Sequence, residues 1–345
     1  MKKYKALFLD VDGTLVHDHF ITEENRRAIL KALQKGVKIT IASGRGDFMV
    51  LPMAHDLYLD CFGDSYSIAL NGTEIIKNRQ CKLPKELERC MMGNRHGEKE
   101  CQEDFEALIK GAVKDVPRNP MPAEVKGYES LLHETLPDEV TAYLIELGNR
   151  KKIHFHVYEG STVYFMVPEN PRYTKFAKYD NSVACMVTDE PDLAEREKKC
   201  AGKKYVANLK ATADKVYENY KIPSNAQKII FLHPDHKLLE ECVKEASVFS
   251  EDIRCEFSDW NSLEFTPITA GKGIGLVKVA KALGIAVEDT VAVGDGENDF
   301  TMLDAAGLSV VPANALDTVK ARADVVLEKT CGESAVAEAI ERFLL

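Results

Sequence analysis

Hydrophobic and polar positions in the first 80 residues alternate between short apolar runs and amphipathic stretches. Tyr4 to Leu9 is a short, largely apolar run, which is typical of a strand buried on both faces. An amphipathic stretch follows, with Thr22 as its capping residue and Gly36 as its end, and it predicts a helix. Val37 to Ala42 is the next predicted strand, and Asn71-Gly72 is a strong turn signal between two further strands, 66–70 and 73–76.

The last 80 residues repeat this alternation of strands and helices. The predicted elements are a helix over 273–283, a strand over 290–293, a helix after Asn298, strands over 308–311 and 325–327, and a final helix from Glu333. Alternating strands and helices favour parallel βαβ units. We therefore predict an α/β fold in which both ends of the chain build one Rossmann-like parallel sheet, interrupted by an insertion.

The middle of the chain has a different pattern. Residues 81–127 are rich in Lys, Glu and Arg and predict charged helices and loops, without a strand. After them, 153–158 and 163–167 flank Glu159-Gly160-Ser161 as a hairpin, and 228–232 is another strand. We predict an inserted α+β domain over 81–261, with 81–137 as its charged decoration, and a core over 1–80 and 262–345.

Composition narrows the class of protein. The chain has 345 residues, 45% of them hydrophobic and 29% charged, which indicates a globular protein of about two domains. Its net charge of −10 argues against a nucleic-acid or anionic-membrane surface, and the first nine residues run into Asp10 and Asp12 rather than forming a signal peptide. No apolar stretch is long enough to predict a membrane span.

Nine scattered cysteines without a CxxC pair indicate free thiols in a reducing compartment, so we expect a cytoplasmic protein. Cys81, Cys90, His96 and Cys101 lie close together in the sequence. Their spacing matches no zinc pattern, so we interpret these cysteines as unpaired thiols.

Candidate chemistry begins where the first predicted strand ends. Asp10 and Asp12 stand two residues apart, and Gly13 allows a sharp turn after them. Open α/β sheets bind ligands at the carboxyl ends of their strands. Taken alone, this pair is also compatible with an ordinary acidic turn.

Three further motifs occupy comparable positions. Ser43-Gly44-Arg45 follows the second strand, Gly271-Lys272-Gly273 precedes a helix, and Asp295, Asn298 and Asp299 follow a later strand. Individually they are compatible with a helix cap, a surface helix start and an acidic turn. Together they converge on one edge of the predicted sheet, and their oxygens and lysine suit a hard cation plus a phosphate group.

These residues, in this order, resemble the haloacid dehalogenase-like phosphatases, and the insertion resembles the large α+β cap of their Cof-type subgroup. The resemblance covers about 1–76 and 263–345, with Asn71-Gly72, Met302 to Gly307 and Asn314-Ala315 as supporting traits. Residues 140–260 resemble the cap more loosely, and 81–137 matches nothing that we can place. Gly271 departs from the Ser, Asn or Asp usual before the lysine.

The resemblance implies a Mg²⁺-dependent phosphatase that works through an aspartyl-phosphate. Asp10 would attack phosphorus, and Asp12 would protonate the leaving alcohol and then activate water. The implied metal-binding residues are Asp10, Asp12 through its backbone carbonyl, Asp295 and Asp299, and the implied phosphate-binding residues are Ser43, Gly44, Lys272 and Asn298.

The expected partner is a small phosphorylated metabolite, with phosphosugars foremost, and the chain would be a monomer or homodimer. A phosphosugar mutase shares the first motif and stays an alternative, as does a non-catalytic phosphate-binding or signalling protein. A response-regulator receiver is disfavoured because Asp10 lies on the first strand.

Substrate selectivity is predicted from strand periodicity. Over 152–158 the side chains of Ile153, Phe155 and Val157 fall on one face, and those of His154, His156 and Tyr158 fall on the other. We expect the apolar face to pack on helices and the histidines to contact the leaving group; a simple solvent face is the alternative. The predicted specificity residues are Arg45, His154, His156 and Tyr158.

Overall fold

A computed structural model describes residues 4–18, 20–82, 129–160, 162–166, 176–180 and 225–345 of the protein. Two compact units emerge. Among the described residues, the core unit comprises 4–45, 49–82, 129–132 and 271–345, and the inserted unit comprises 46–48 and the described residues between 133 and 270. Within the described ranges, no helix has the length and apolar character to cross a membrane.

Helices and strands alternate along both ends of the described chain, and strands predominate in its middle. In chain order the elements are β1 (Ala6–Leu9), α1 (Glu23–Gln34), β2 (Lys38–Ala42), α2 (Asp47–Asp56), β3 (Tyr66–Ala69), β4 (Glu74–Lys77), β5 (Glu129–His133), α3 (Asp138–Lys151), β6 (His154–Glu159), β7 (Thr162–Met166), β8 (Phe176–Asp180), β9 (Lys228–Leu232), α4 (His236–Ala246), β10 (Ile253–Asp259), β11 (Ser262–Pro267), α5 (Lys272–Ala282), β12 (Thr290–Val293), α6 (Phe300–Ala305), β13 (Leu308–Val311), α7 (Asp317–Lys320), β14 (Val325–Val326) and α8 (Ala335–Phe343).

The core sheet joins the two ends of the chain. Its described strands run in the order β14-β13-β12-β1-β2-β3-β4-β5. β1 lies between β12 and β2 and is parallel to both, with Leu9 opposite Val293 on one side and Ile41 on the other. The predicted α/β fold, a mostly parallel sheet built from both ends of the chain, is therefore confirmed.

Side chains of β1 alternate between two apolar layers. Leu7 and Leu9 pack in one cluster with residues of α1 and α8, and Phe8 packs in another with Leu276 of α5 and Met302 of α6. Because helices cover both faces of the sheet, every residue of β1 is buried. This explains why the strand appears in the sequence as an apolar run without alternation.

Two predicted boundaries differ from the structure. β5, residues 129–133, joins the core sheet beside β4. The prediction that 81–137 decorates the inserted domain is therefore wrong for this strand, which belongs to the core sheet. β11, residues 262–267, pairs with β9 and β10 in the other sheet, so the inserted unit continues past 261 to Ala270. In both cases backbone pairing with neighbouring strands decides which unit the strand belongs to. Residues 83–128 lie outside the described part of the chain.

The inserted unit is built on an antiparallel sheet with the described strand order β10-β11-β9-β6-β7-β8. β6 and β7 form the predicted hairpin, with Gly160 in the left-handed region at φ 55°. One face of the sheet, including Phe155, Phe231 and Phe265, packs with apolar residues of α3 and α4. The predicted apolar face of β6 is therefore confirmed.

Candidate active site

Three of the predicted motifs meet at one edge of the core sheet. Asp10 follows β1, Ser43 follows β2 and Asp295 lies two residues after β12. Because these three strands are adjacent and parallel, their carboxyl ends lie side by side. The shared direction of the strands, rather than any contact along the sequence, brings these residues together.

Lys272 lies fully buried between two carboxylates. It is the first residue of α5, and its Nζ donates to Asp10 Oδ1 and to Asp299 Oδ1, both at 2.6 Å. Burial alone would lower the pKa of this ammonium group, but Asp10 and Asp299 together raise it above its ordinary value. Lys272 therefore stays protonated, because the two carboxylates supply the opposite charge that a buried ammonium group needs.

The position of α5 depends on the predicted turn at Asn71-Gly72. Gly72 has φ of 91°, and a Cβ on it would stand 2.3 Å from the carbonyl oxygen of Gly271, the residue before Lys272. Only a glycine permits both this backbone conformation and this close approach. The turn between β3 and β4 thus packs directly against the start of the helix that carries the buried lysine.

Negative charge exceeds positive charge at this edge. Burial, followed by the charge of Asp299, raises the pKa of Asp10 well above the usual range, and Lys272 offsets only part of this effect. Burial and Asp299 likewise raise the pKa of Asp295 to about 7, although Thr14 Oγ1 donates to its Oδ1 at 2.6 Å and lowers it. One lysine does not balance three neighbouring carboxylates.

Asp10, Asp295 and Asp299 fit a divalent cation. Each offers an oxygen, and these three atoms lie within 4.8 Å of one another. Carboxylate oxygens are the donors that hard divalent cations prefer, and a cation there would offset the raised carboxylate pKa values. Asp299 also accepts the backbone N–H groups of Asp295 and Gly296 at 3.0 and 3.1 Å through Oδ2, so it holds the loop that carries Asp295.

Gly13 allows the two acidic loops to approach each other. Its φ is 80°, and a Cβ at this position would stand 2.2 Å from Asp295 Oδ2. Gly13 also offers its carbonyl oxygen to Asn314 Nδ2 at 2.8 Å, while Asn314 Oδ1 accepts the N–H of Cys331 at 2.7 Å. The sequence indicated Asn314 only as a family trait, without a role. In the structure its side chain links the Gly13 loop to the backbone at Cys331.

Arg45 pairs with Asp12, a contact that sequence reasoning missed. Arg45 Nε donates to Asp12 Oδ2 at 2.8 Å, and Nη2 donates to Oδ1 of the same carboxylate. Ser43 is buried, and its Oγ accepts the Arg45 N–H at 3.1 Å. No spacing rule links residues 33 positions apart, so nothing in the sequence indicated that Arg45 would hold Asp12.

A protein-family model described as haloacid dehalogenase-like hydrolase matches residues 7–90 and 123–340. The chain belongs to this hydrolase family. The family predicted from the four motifs is therefore confirmed.

Named relatives of this hydrolase are phosphatases. The 5-amino-6-(5-phospho-D-ribitylamino)uracil phosphatase YwtE of Bacillus subtilis (strain 168) is 25% identical over 345 residues, which cover 99% of this chain and 98% of the relative. A haloacid dehalogenase-like hydrolase from Bacteroides thetaiotaomicron shares the fold at a TM-score of 0.62 and 23% identity, over 99% of both chains. The subclass IIB sugar phosphatase BT4131 gives a TM-score of 0.61 at 19% identity, over 98% of both chains. The predicted class, a phosphoric monoester hydrolase, is the class of these phosphatases.

The histidines predicted to set the selectivity of this hydrolase lie in the inserted unit. His154, His156 and Tyr158 are all buried, and the Nε2 atoms of the two histidines are 2.9 Å apart. Lys228 Nζ pairs with Glu264 Oε2 at 3.2 Å and lies 4.9 Å from the centre of the Tyr158 ring. The second face of the sheet is thus polar and buried. A role in contacting the leaving group stays a prediction.

Asn298 and Gly44 complete the predicted set. Asn298 is half-buried and lies two residues after Gly296. A Cβ on Gly296 would stand 2.6 Å from the side-chain oxygen of Asn298. Gly44 is half-buried and lies between Ser43 and Arg45. Their assignment to phosphate binding stays a prediction.

Proposed function

We propose that this hydrolase is a Mg²⁺-dependent phosphatase that removes phosphate from small phosphorylated metabolites through a phosphorylated Asp10. The observation that carries the proposal is the buried group of Asp10, Asp295 and Asp299 around Lys272 at the carboxyl edge of the sheet. A nucleophilic carboxylate, a fixed cation and a set of metal-binding oxygens are the parts that phosphoryl transfer by this route requires.

In the first step, a carboxylate oxygen of Asp10 attacks phosphorus and the alcohol of the substrate leaves. Lys272 is held within 2.6 Å of Asp10, so its charge lies beside the incoming phosphoryl oxygens. The Ser43 hydroxyl and the Gly44 amide would donate to the same oxygens. Such fixed donors stabilise the charge of the transition state without reorganisation at the moment of reaction.

Asp12 would move the protons of both steps. Its side chain is 61% exposed, which gives access to a leaving oxygen and to water, while Arg45 fixes its orientation by the two-point ion pair. It would protonate the leaving alcohol and later remove a proton from the water that attacks the phosphorylated Asp10. A separate proton carrier leaves Asp10 free to act as the nucleophile.

Asp10, Asp295 and the backbone carbonyl of Asp12 would hold Mg²⁺, with Asp299 and Asn298 supporting the loop around it. Bound there, the cation supplies positive charge for the phosphoryl oxygens and offsets the mutual repulsion of the carboxylates. Asp295 accepts from Thr14 and Asp299 accepts from two loop amides, so the ligand loop is already oriented by the protein.

Phosphosugars and sugar-alcohol phosphates are the proposed substrate class. One named relative acts on a phosphoribityl compound and one structural neighbour is a sugar phosphatase. We propose that the inserted unit selects the leaving group within this class.

A phosphate-release screen tests the proposal. The chain, stripped of metal and returned to Mg²⁺, is assayed on a panel of sugar phosphates, sugar-alcohol phosphates and p-nitrophenyl phosphate, with Asp10→Asn as the matched inactive control. We expect phosphate release that requires Mg²⁺ and is absent in the variant. Release that persists without divalent metal contradicts the proposal, and an isomerised phosphate ester without free phosphate identifies a mutase.

A further inference from the structure

A second group of metal-ligating side chains lies in the core unit and shares no residue with the Asp10 site. His55, Asp60 and Cys81 each offer a ligand atom, and these three atoms lie within 4.8 Å of one another. Asp60 Oδ2 and His55 Nδ1 are already 2.7 Å apart, and the Asp60 side chain is only 4% exposed.

The backbone brings these side chains together from three places. His55 lies in the last turn of α2, Asp60 lies in the short 3-10 turn Leu59–Cys61, and Cys81 follows β4 by four residues. The Cys81 N–H donates to the Asp60 carbonyl oxygen at 3.0 Å, which fixes the exit of β4 against this turn. The cluster is thus supported by main-chain geometry as well as by its side chains.

Cys61 lies beside this group of three and offers a further donor from the same turn. Its Sγ donates to Asp60 Oδ1 at 3.5 Å, and the thiol is free. One imidazole, one carboxylate and two thiols form a softer donor set than the carboxylates around Asp10. Thiolate and imidazole ligands favour Zn²⁺, whereas all-oxygen sites favour Mg²⁺.

The dimensions also suit zinc. With Zn–N and Zn–O bonds of about 2.0–2.2 Å and Zn–S bonds of about 2.3 Å, the edges of a tetrahedral site measure roughly 3.3–3.8 Å. The ligand atoms of His55, Asp60 and Cys81 lie within 4.8 Å of one another, so no pair needs to close by more than about 1.5 Å. His55 Nδ1 and Asp60 Oδ2, now 2.7 Å apart, would separate by roughly 0.6 Å. The ion would replace the proton shared between His55 and Asp60.

We propose that His55, Asp60 and Cys81, with Cys61 as the fourth ligand, form a zinc site that fastens the end of α2 to the segment that leaves β4. It has a structural role and takes no part in the phosphatase reaction. Closed four-ligand sites of this kind stabilise a fold because the metal binds the native state and not the unfolded chain.

Cobalt substitution gives a direct readout of thiolate ligation. The metal-free protein, kept reduced and held in excess Mg²⁺ to occupy the carboxylate site, is titrated with Co²⁺ and then with Zn²⁺. We expect one equivalent of Co²⁺ to produce a thiolate-to-cobalt charge-transfer band that Zn²⁺ abolishes. Zn²⁺ should also raise the thermal unfolding temperature. This readout is independent of turnover, so it stands even if the proposed phosphatase activity fails.

Variants decide which residues bind the metal. Cys81→Ser should lose about half of the intensity of the band, because Cys61 remains as the second thiolate ligand, and His55→Ala should weaken Co²⁺ binding by at least about tenfold. Cys255→Ser, which removes a thiol in the inserted unit, is the matched control and should keep both the band and the affinity. His55 is 42% exposed, so its variant tests the site even if Cys81→Ser does not fold. The proposal is overturned if the parent shows no band, or if the Co²⁺ affinity is unchanged in His55→Ala.

Discussion

Arg45 holds the carboxylate of Asp12 through two parallel hydrogen bonds, one of them 2.8 Å long from Nε to Oδ2. The Arg45 side chain is 14% exposed whereas that of Asp12 is 61% exposed, so a largely buried guanidinium orients an accessible acid. Bidentate pairing of this kind fixes direction as well as distance. Arg45 is therefore a positioning residue for the proposed proton carrier.

Replacing Arg45 with Lys keeps the charge but removes the two-point geometry. We expect kcat to fall about tenfold or more on sugar phosphates and clearly less on p-nitrophenyl phosphate, whose leaving group needs little protonation. Steady-state kinetics on both substrates checks this. Arg322→Lys, at an exposed ion pair with Asp304, is the matched control and should change neither rate.

Substitutions of the two acidic residues of the first motif, Asp10 and Asp12, should differ in how strongly their effects depend on the substrate. Asp10→Asn should abolish turnover on every substrate, because no nucleophile remains. Asp12→Asn should cost roughly 100-fold or more on an alkyl phosphate and much less on p-nitrophenyl phosphate. Comparison of kcat for both variants on both substrates is the measurement. Equal losses throughout would argue against separate roles.

Gly13→Ala should disable the site without unfolding the core. The added Cβ would stand 2.2 Å from Asp295 Oδ2, and the backbone at φ of 80° is unfavourable for alanine. We expect Mg²⁺ affinity and kcat to drop by at least about tenfold, since the two acidic loops must separate. Isothermal titration with Mg²⁺ measures the loss of affinity, and far-ultraviolet circular dichroism checks that the core stays folded. Gly36→Ala, at φ of 83° with open space around it, controls for backbone strain alone.

The metal-free protein should become less stable as pH rises. Burial and Asp299 raise the pKa of Asp295 to about 7 in the fold, above its unfolded value, so stability is present at low pH and is lost as pH rises through about 7. Between about pH 6.5 and about pH 8.5 we expect a loss near 1 kcal/mol.

Urea unfolding in EDTA at the two pH values measures this loss. Asp295→Asn should reduce it, and saturating Mg²⁺ should reverse it. Burial lowers the pKa of His156, and this shift makes the free energy of unfolding rise with pH in the range below about pH 6.5. The comparison therefore stays at or above about pH 6.5. Stability that rises with pH in the metal-free protein would contradict the assignment of a proton-accepting carboxylate cluster.

His156→Ala tests whether the buried polar face of the inserted unit selects substrates. We expect kcat/KM for the best sugar phosphate to fall at least about tenfold, on the order of 1.4 kcal/mol, while p-nitrophenyl phosphate is barely affected. His236→Ala, at an exposed histidine of α4, is the matched control. A uniform loss on both substrates would indicate a packing role for His156 instead.

Local sequence patterns were sufficient to predict the strands that carry the site and the types of donor on them. Continuous apolar runs such as β1 indicate a strand covered on both faces, and the Asn71-Gly72 turn and the capping Thr22 act through nearest neighbours. The order of the four motifs was sufficient to recognise the family. These features are readable because their physical causes lie within a few residues.

Features that depend on pairing between distant segments required the folded chain. β5 joins the core sheet and β11 joins the inserted sheet through backbone hydrogen bonds to neighbouring strands, and no local pattern indicates which sheet either of them enters. Arg45 meets Asp12, and Asn314 meets the loop at Gly13, only because parallel strands place their carboxyl ends along one edge. Those contacts arise from sheet order and strand direction, which periodicity along the chain does not encode.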